Sequence, residues 1–240
     1  MPGPINPGTR LAVALDVSDL SQAQSLFRKL RDFEVIYKIG PHLLFSGGFE
    51  LISEIKKSGA EVFIDLKLYD IPNTVLKTVE QYIRLEIDYF TLHLSGGREM
   101  IESVRSRIDS DSGWKPKVLG VSVLTSFSAE SWSLASGTIE EIGSAAERMV
   151  NHGVRWGVDG VVCSAHELDG LKRRHPELYT VVPGIRPAGY SAQDQKRVLT
   201  PAEAAEKGAS MIVVGRPITE SDVPERVVAQ ILNELGERSA

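Results

Sequence analysis

Val62-Phe63-Ile64-Asp65-Leu66-Lys67-Leu68-Tyr69-Asp70-Ile71-Pro72-Asn73-Thr74 is the stretch from which the rest of the chain can be read. Its first three residues are apolar and have the composition of a buried strand. Alternation along a strand puts Asp65 and Lys67 on one face. Buried charges are costly unless they pair with each other or with a charged ligand. Acid, base and acid at the end of a buried strand therefore point to a working site.

On either side of this stretch, strand and helix alternate. Short apolar runs predict strands at residues 11–15, 35–39, 61–67, 89–94, 117–124, 160–163, 180–184 and 211–215. Helical spacing of apolar residues predicts helices at 18–30, from Gly40-Pro41 to 57, at 74–85, at 138–152 and at 223–235, with another opened by Gly96-Gly97. The 138–152 helix is expected to carry an acidic first turn at Glu140-Glu141. The strands are continuous rather than alternating, as strands covered on both faces should be. Eight such units of roughly 30 residues match a closed parallel barrel of about 250 residues. An open doubly wound sheet would carry Gly-x-Gly-x-x-Gly after the first strand. Asp16-Val17-Ser18-Asp19 stands there instead. The expectation is a single-domain (β/α)8 TIM barrel over residues 10–240, preceded by a loose Pro/Gly-rich tail at 1–9.

Composition narrows the function. A net charge of −5 argues against a general nucleic-acid binder. No apolar run reaches the length of a membrane span. The one cysteine, Cys163, rules out an internal disulfide and reads as a small buried hydrophobe. With no export signal at the start of the chain, the cytoplasm is the expected compartment.

Barrel active sites lie at the C-terminal ends of the strands. There the sequence delivers Asp16, Lys38, Asp65, Lys67, His93, Thr125, Ser126, Arg186, Gly215 and Arg216. One polar residue past an apolar run is an ordinary solvated loop residue, but convergence from most of the strands is not. The loops after strands seven and eight often hold a phosphate in such barrels. Here they read Pro183-Gly184-Ile185-Arg186-Pro187 and Val214-Gly215-Arg216-Pro217-Ile218. Glycine lets backbone N–H groups approach an anion, and arginine offers a forked donor. An anionic substrate is expected. No metal site is expected. The five histidines lack ligand spacing, and Lys38 and Lys67 would compete with a divalent ion for the carboxylates. His93 reads as a hydrogen-bonded barrel residue rather than a catalyst.

The motif Asp65-x-Lys67-x-x-Asp70-Ile71-x-Asn73-Thr74 resembles the signature of orotidine 5'-phosphate decarboxylases of the compact bacterial type. The likeness extends over about residues 10–235. It takes in Leu15-Asp16-Val17, Tyr37-Lys38-Ile39-Gly40, Val123-Leu124-Thr125-Ser126, Asp194-Gln195-Lys196-Arg197 and the two Gly-x-Arg or Gly-Arg loops. Val182 departs from it, standing where a threonine is expected before Pro-Gly. The resemblance implies conversion of orotidine 5'-phosphate to uridine 5'-phosphate and CO2, the last step of uridine monophosphate synthesis. It implies no cofactor, and a homodimer with shared active sites. It implies that Lys38, Asp65, Lys67 and Asp70 form a charge network, with Lys67 the proton donor to C6. Asp16 and Lys38 would hold ribose hydroxyls, and Asp70 and Thr74 would reach the partner's ligand. Ile71 of the same segment would be a substrate contact. Thr125 would meet the pyrimidine, and Arg186, Gln195, Gly215 and Arg216 the phosphate. The stretch 188–196, after strand seven, is the expected lid.

Two other readings remain open. A magnesium-dependent phosphosugar enzyme of the hexulose-phosphate synthase or keto-gulonate-phosphate decarboxylase type shares the Asp-x-Lys-x-x-Asp pattern. It would be expected to place a glutamate where Lys38 stands. A non-catalytic nucleotide-binding barrel would not need a lysine beside the reacting carbon.

Overall fold

The computed structural model describes residues 8–124, 126–187 and 199–236. Eight strands pair in parallel and in chain order: β1 (Arg10–Ala14), β2 (Ile36–Ile39), β3 (Glu61–Leu68), β4 (Tyr89–His93), β5 (Lys117–Val121), β6 (Gly160–Val162), β7 (Tyr179–Val182) and β8 (Met211–Val214). β8 closes on β1, with Arg10 opposite Met211 and Val13 opposite Val214. The expected (β/α)8 barrel is thus the observed one. Thr9 is buried and its hydroxyl donates to the Ala209 carbonyl at 2.6 Å, so the anchored chain includes Thr9.

Alternation divides each strand between two apolar layers. Ala12, Ala14, Ile36, Phe63, Leu119 and Val181 fill the barrel interior. Leu11, Val13, Tyr37, Ile39, Val62 and Ile64 face the helices. Both layers are buried, which explains why the strands read as continuous apolar runs. The same alternation places the site. Two residues beyond Ile36 comes Lys38, and two beyond Phe63 comes Asp65, so both enter the barrel at its C-terminal mouth. At β6, Gly160 is required because a Cβ there would lie 2.3 Å from the Tyr179 carbonyl oxygen of the neighbouring strand.

The helices are α1 (Leu20–Leu30), α2 (Pro41–Leu43), α3 (Phe49–Lys57), α4 (Pro72–Arg84), α5 (Gly97–Ser110), α6 (Ala129–Ser136), α7 (Ile142–Trp156), α8 (Leu168–Arg174), α9 (Pro201–Glu206), α10 (Arg216–Thr219) and α11 (Pro224–Glu234). Three expectations need correction. The single helix from Gly40-Pro41 to residue 57 is broken between α2 and α3, where Ser46 and Gly47 leave helical geometry and Gly47 takes φ +106°. The strand expected at 117–124 stops at Val121. The helix expected at 138–152 begins at Ile142, so Glu140 and Glu141 precede it rather than form its first turn. Glu141 is extended at the N-cap, and the Glu140 carboxylate is held by Arg148 at 2.7 Å. Residues 138–141 instead link α7 to a preceding helix unanticipated from the sequence, α6, which ends at left-handed Gly137.

Candidate active site

Four charged groups line up across the mouth of the barrel. Asp16, just past β1, accepts from the Lys38 ammonium at 3.3 Å. Lys38 lies 3.6 Å from Asp65 Oδ2, and Asp65 Oδ1 accepts from the Lys67 ammonium at 2.9 Å. The row alternates in sign: Asp16, Lys38, Asp65, Lys67. Lys38 is only 7% exposed, and the flanking carboxylates offset the cost of burying its ammonium. Burial pushes the Asp65 carboxyl upward, but Lys38 and Lys67 together outweigh burial and hold it below its ordinary value. Asp65 therefore stays ionised between two ammonium groups.

Asp65 and Lys67 meet as expected, although not by regular alternation. The β3–β4 register shifts between Ile64 and Leu68, and Lys67 adopts φ +48°. The irregularity turns Lys67 toward the mouth while keeping its ammonium on Asp65. Beneath it, Thr91 of β4 donates its hydroxyl to Asp65 Oδ1 at 2.9 Å and accepts the Lys67 backbone N–H at 2.8 Å. Thr91 was not among the residues singled out in the sequence. Its signal was there: two residues past inward-facing Tyr89, it is a polar residue inside an apolar run.

The row borders a cavity of about 570 Å³. Phe63, Val121, Val181 and Val213 form its apolar depth, and Gly184, Arg186, Gly215 and Arg216 stand along its rim. Gly184 has φ +76°, and Arg186 is 7% exposed with its backbone N–H bonded to Leu199. The two loops picked out as an anion site thus converge on the same cavity as the charge row. Cys163 also borders it, and burial pushes its thiol well up, so it stays protonated. His93 accepts from the Ser95 N–H at 3.4 Å and lies 5.5 Å, ring to ring, from Tyr69. Burial, and then the Lys67 charge, depress its pKa and keep the ring neutral.

Asp70 is not brought into the row within one subunit. Its Oδ1 accepts the Ile71 N–H at 2.7 Å, and it lines a neighbouring groove of about 340 Å³ with Phe45, Tyr69 and Thr74. Lys67 borders both the groove and the main cavity. Ile71 is exposed at the N-cap of α4. Thr125, Gln195 and the expected lid at 188–196 lie outside the described residues.

With this geometry in view, the similarities to known proteins become specific. The family model for "Orotidine 5'-phosphate decarboxylase / HUMPS family" matches residues 9–231. The chain belongs to this family. An orotidine 5'-phosphate decarboxylase from Methylacidiphilum infernorum is 40% identical over 229 residues, covering 93% of this chain and 96% of that protein. One from Pseudomonas fluorescens is 37% identical over 227 residues, covering 95% and 97%. The crystal structure of orotidine 5'-phosphate decarboxylase from Lactobacillus acidophilus superposes with a TM-score of 0.84 at 32% identity, over 95% of this chain and 99% of that one. Family membership agrees with the resemblance read from the 65–74 motif.

Proposed function

We propose that this chain decarboxylates orotidine 5'-phosphate to uridine 5'-phosphate without a cofactor. The observation that carries this reading is the row Asp16–Lys38–Asp65–Lys67 at the mouth of a cavity that two arginines, Arg186 and Arg216, also line. Loss of CO2 from this ring leaves an electron pair in an sp² orbital outside the π system. Delocalisation cannot absorb it, so fixed positive charge must. Lys67 stabilises the developing carbanion and then protonates C6. Asp65 holds Lys67 and faces the departing carboxylate. Asp16 and Lys38 hold the ribose hydroxyls, and Thr125 the pyrimidine. Arg186, Gln195, Gly215 and Arg216 bind the phosphate, whose binding energy closes the 188–196 segment over the ring.

The working unit is a homodimer in which Asp70, Ile71 and Thr74 of each subunit reach the other's ligand. Supporting this, Phe45, Phe49, Tyr69 and Ile71 are all more than half exposed beside the groove that Lys67 shares with Asp70. The cytoplasm is the proposed compartment, because a phosphorylated nucleotide does not cross membranes unaided. No described helix is long and apolar enough to span one.

Turnover of orotidine 5'-phosphate in the presence of a strong chelator tests the reading. Undiminished decarboxylation is expected. Lost activity restored by magnesium would favour the phosphosugar-enzyme reading, and tight nucleotide binding without turnover would favour a sensor.

A further inference from the structure

Between β3 and β4 the register runs from Ile64 opposite Phe90 to Leu68 opposite Leu92. Four residues of β3 therefore span two of β4, and the ladder cannot pair every amide in the bulge. Lys67 sits in this excess with φ +48°, a left-handed geometry that is unfavourable for a non-glycine residue. Its N–H bonds a side chain, Thr91 Oγ1, at 2.8 Å. The same hydroxyl donates to Asp65 Oδ1 at 2.9 Å, the oxygen that also receives the Lys67 ammonium at 2.9 Å. The result is a closed ring: Lys67 N–H to Thr91, Thr91 O–H to Asp65, and the Lys67 ammonium back to Asp65. Both ends of Lys67 are thereby tied together through two oxygen atoms, Thr91 Oγ1 and Asp65 Oδ1. Thr91 is 0% exposed and so touches no substrate. Its hydroxyl has no solvent to fall back on, so removing it leaves a buried N–H and a carboxylate oxygen each short of a partner.

We propose that Thr91 is a positioning residue for the Lys67–Asp65 pair. Its hydroxyl holds the Lys67 main chain in its left-handed turn and fixes the carboxylate against which the ammonium is aimed. The proposal rests on the decarboxylase reading for what Lys67 is aimed at, but not for the ring of bonds itself. A barrel residue with a packing role alone would tolerate valine, which keeps Thr91's shape. A positioning residue would not.

The test compares Thr91→Val, Thr91→Ala and Thr91→Ser in the full chain, reading kcat with orotidine 5'-phosphate and Kd for uridine 5'-phosphate. Thr91→Val and Thr91→Ala are expected to lose about tenfold or more in kcat, the scale of one hydrogen bond to a charged group. Their Kd should stay within about threefold, since the phosphate and ribose contacts are untouched. Thr91→Ser, which keeps the oxygen, should stay within about threefold of the parent in both. If Thr91→Val does not fold, the Ser and Ala variants still differ by that single oxygen. Parental kcat in the variants lacking the hydroxyl, a serine variant as slow as alanine, or parallel loss of kcat and nucleotide binding would each overturn the proposal. A crystal structure of Thr91→Ala separates the two readings. Movement of the Lys67 main chain or the Asp65 carboxylate supports positioning even if the parent shows no decarboxylation, which would sink only the proposed function. An unmoved pair overturns positioning.

Discussion

Lys67 is where the chemistry of the chain concentrates. Its ammonium is paired with Asp65, its backbone is left-handed, and it borders both the cavity and the neighbouring groove. In the proposed mechanism, Lys67→Ala removes the charge facing the carbanion and the proton source together. Steady-state kinetics should show kcat collapsing while uridine 5'-phosphate still binds. Turnover within about tenfold of the parent, or roughly 1.4 kcal/mol, would give the proton to another group. His93 behaves differently. Burial and the Lys67 charge lower its pKa from 6.5 in the folded state, so the unfolded chain binds the extra proton first as pH falls. Its contribution to stability is complete above about pH 6.5 and declines below it. The Tm of the parent should therefore fall more steeply between pH 7 and 5.5 than that of His93→Asn. Parallel Tm profiles for the two proteins would mean that another group titrates there.

Among the elements, the α2–α3 junction shows how one residue breaks a periodic pattern. The apolar spacing through residues 41–57 is helical, and the sequence reads it as one helix. Gly47, at φ +106°, lets the chain turn there, and a Cβ would lie 2.8 Å from Leu20 Cδ2 of α1. Gly47→Ala combines that contact with an unfavourable backbone geometry and should destabilise the fold by about 1–3 kcal/mol. Urea unfolding measures the loss, and a midpoint equal to the parent's would show that the turn relaxes at no cost. α9 was legible in principle: Thr200, Pro201 and Glu203 form a capping box with proline in the first turn. α6 was harder to read. It buries none of its residues, so it lacks the apolar stripe on which periodic reading depends. The start of α7 also lies four residues later than expected, at Ile142 rather than 138, because Glu141 is extended at the N-cap.

For the whole molecule, the question is whether one subunit makes a complete site. Asp70 lines the groove beside Lys67 and its carboxylate caps the Ile71 N–H, away from the row of charges. In the proposed dimer each subunit lends Asp70 to the other across a self-complementary interface. Lys67→Ala and Asp70→Ala proteins, each inactive, should then restore activity when their subunits exchange. In a mixed dimer one site collects both defects and the other is intact. Random exchange makes about half the dimers mixed, so roughly a quarter of parental activity should return. If mixed dimers form, as shown by native mass spectrometry, and stay inactive, Asp70 serves its own subunit.

Eight apolar runs at regular spacing, and charges recurring where those runs end, sufficed for the barrel, its mouth and most of the candidate residues. Burial on both faces leaves a local imprint, because strands covered by helices outside and side chains inside must be apolar throughout. Lys38, Asp65 and Lys67 stood out because a charge beside such a run is conspicuous in one dimension. The bulge in β3, the left-handed turn of Lys67 and the role of Thr91 belong to the tertiary structure. A register shift is a relation between two strands, and a hydroxyl that ties residues 65 and 67 from position 91 acts across 26 and 24 positions of chain. Threonine is an ordinary strand former, so its propensity carries no hint of the bond. The kink at Gly47 likewise follows from where α1 and α3 must pack, which apolar spacing within one segment does not encode.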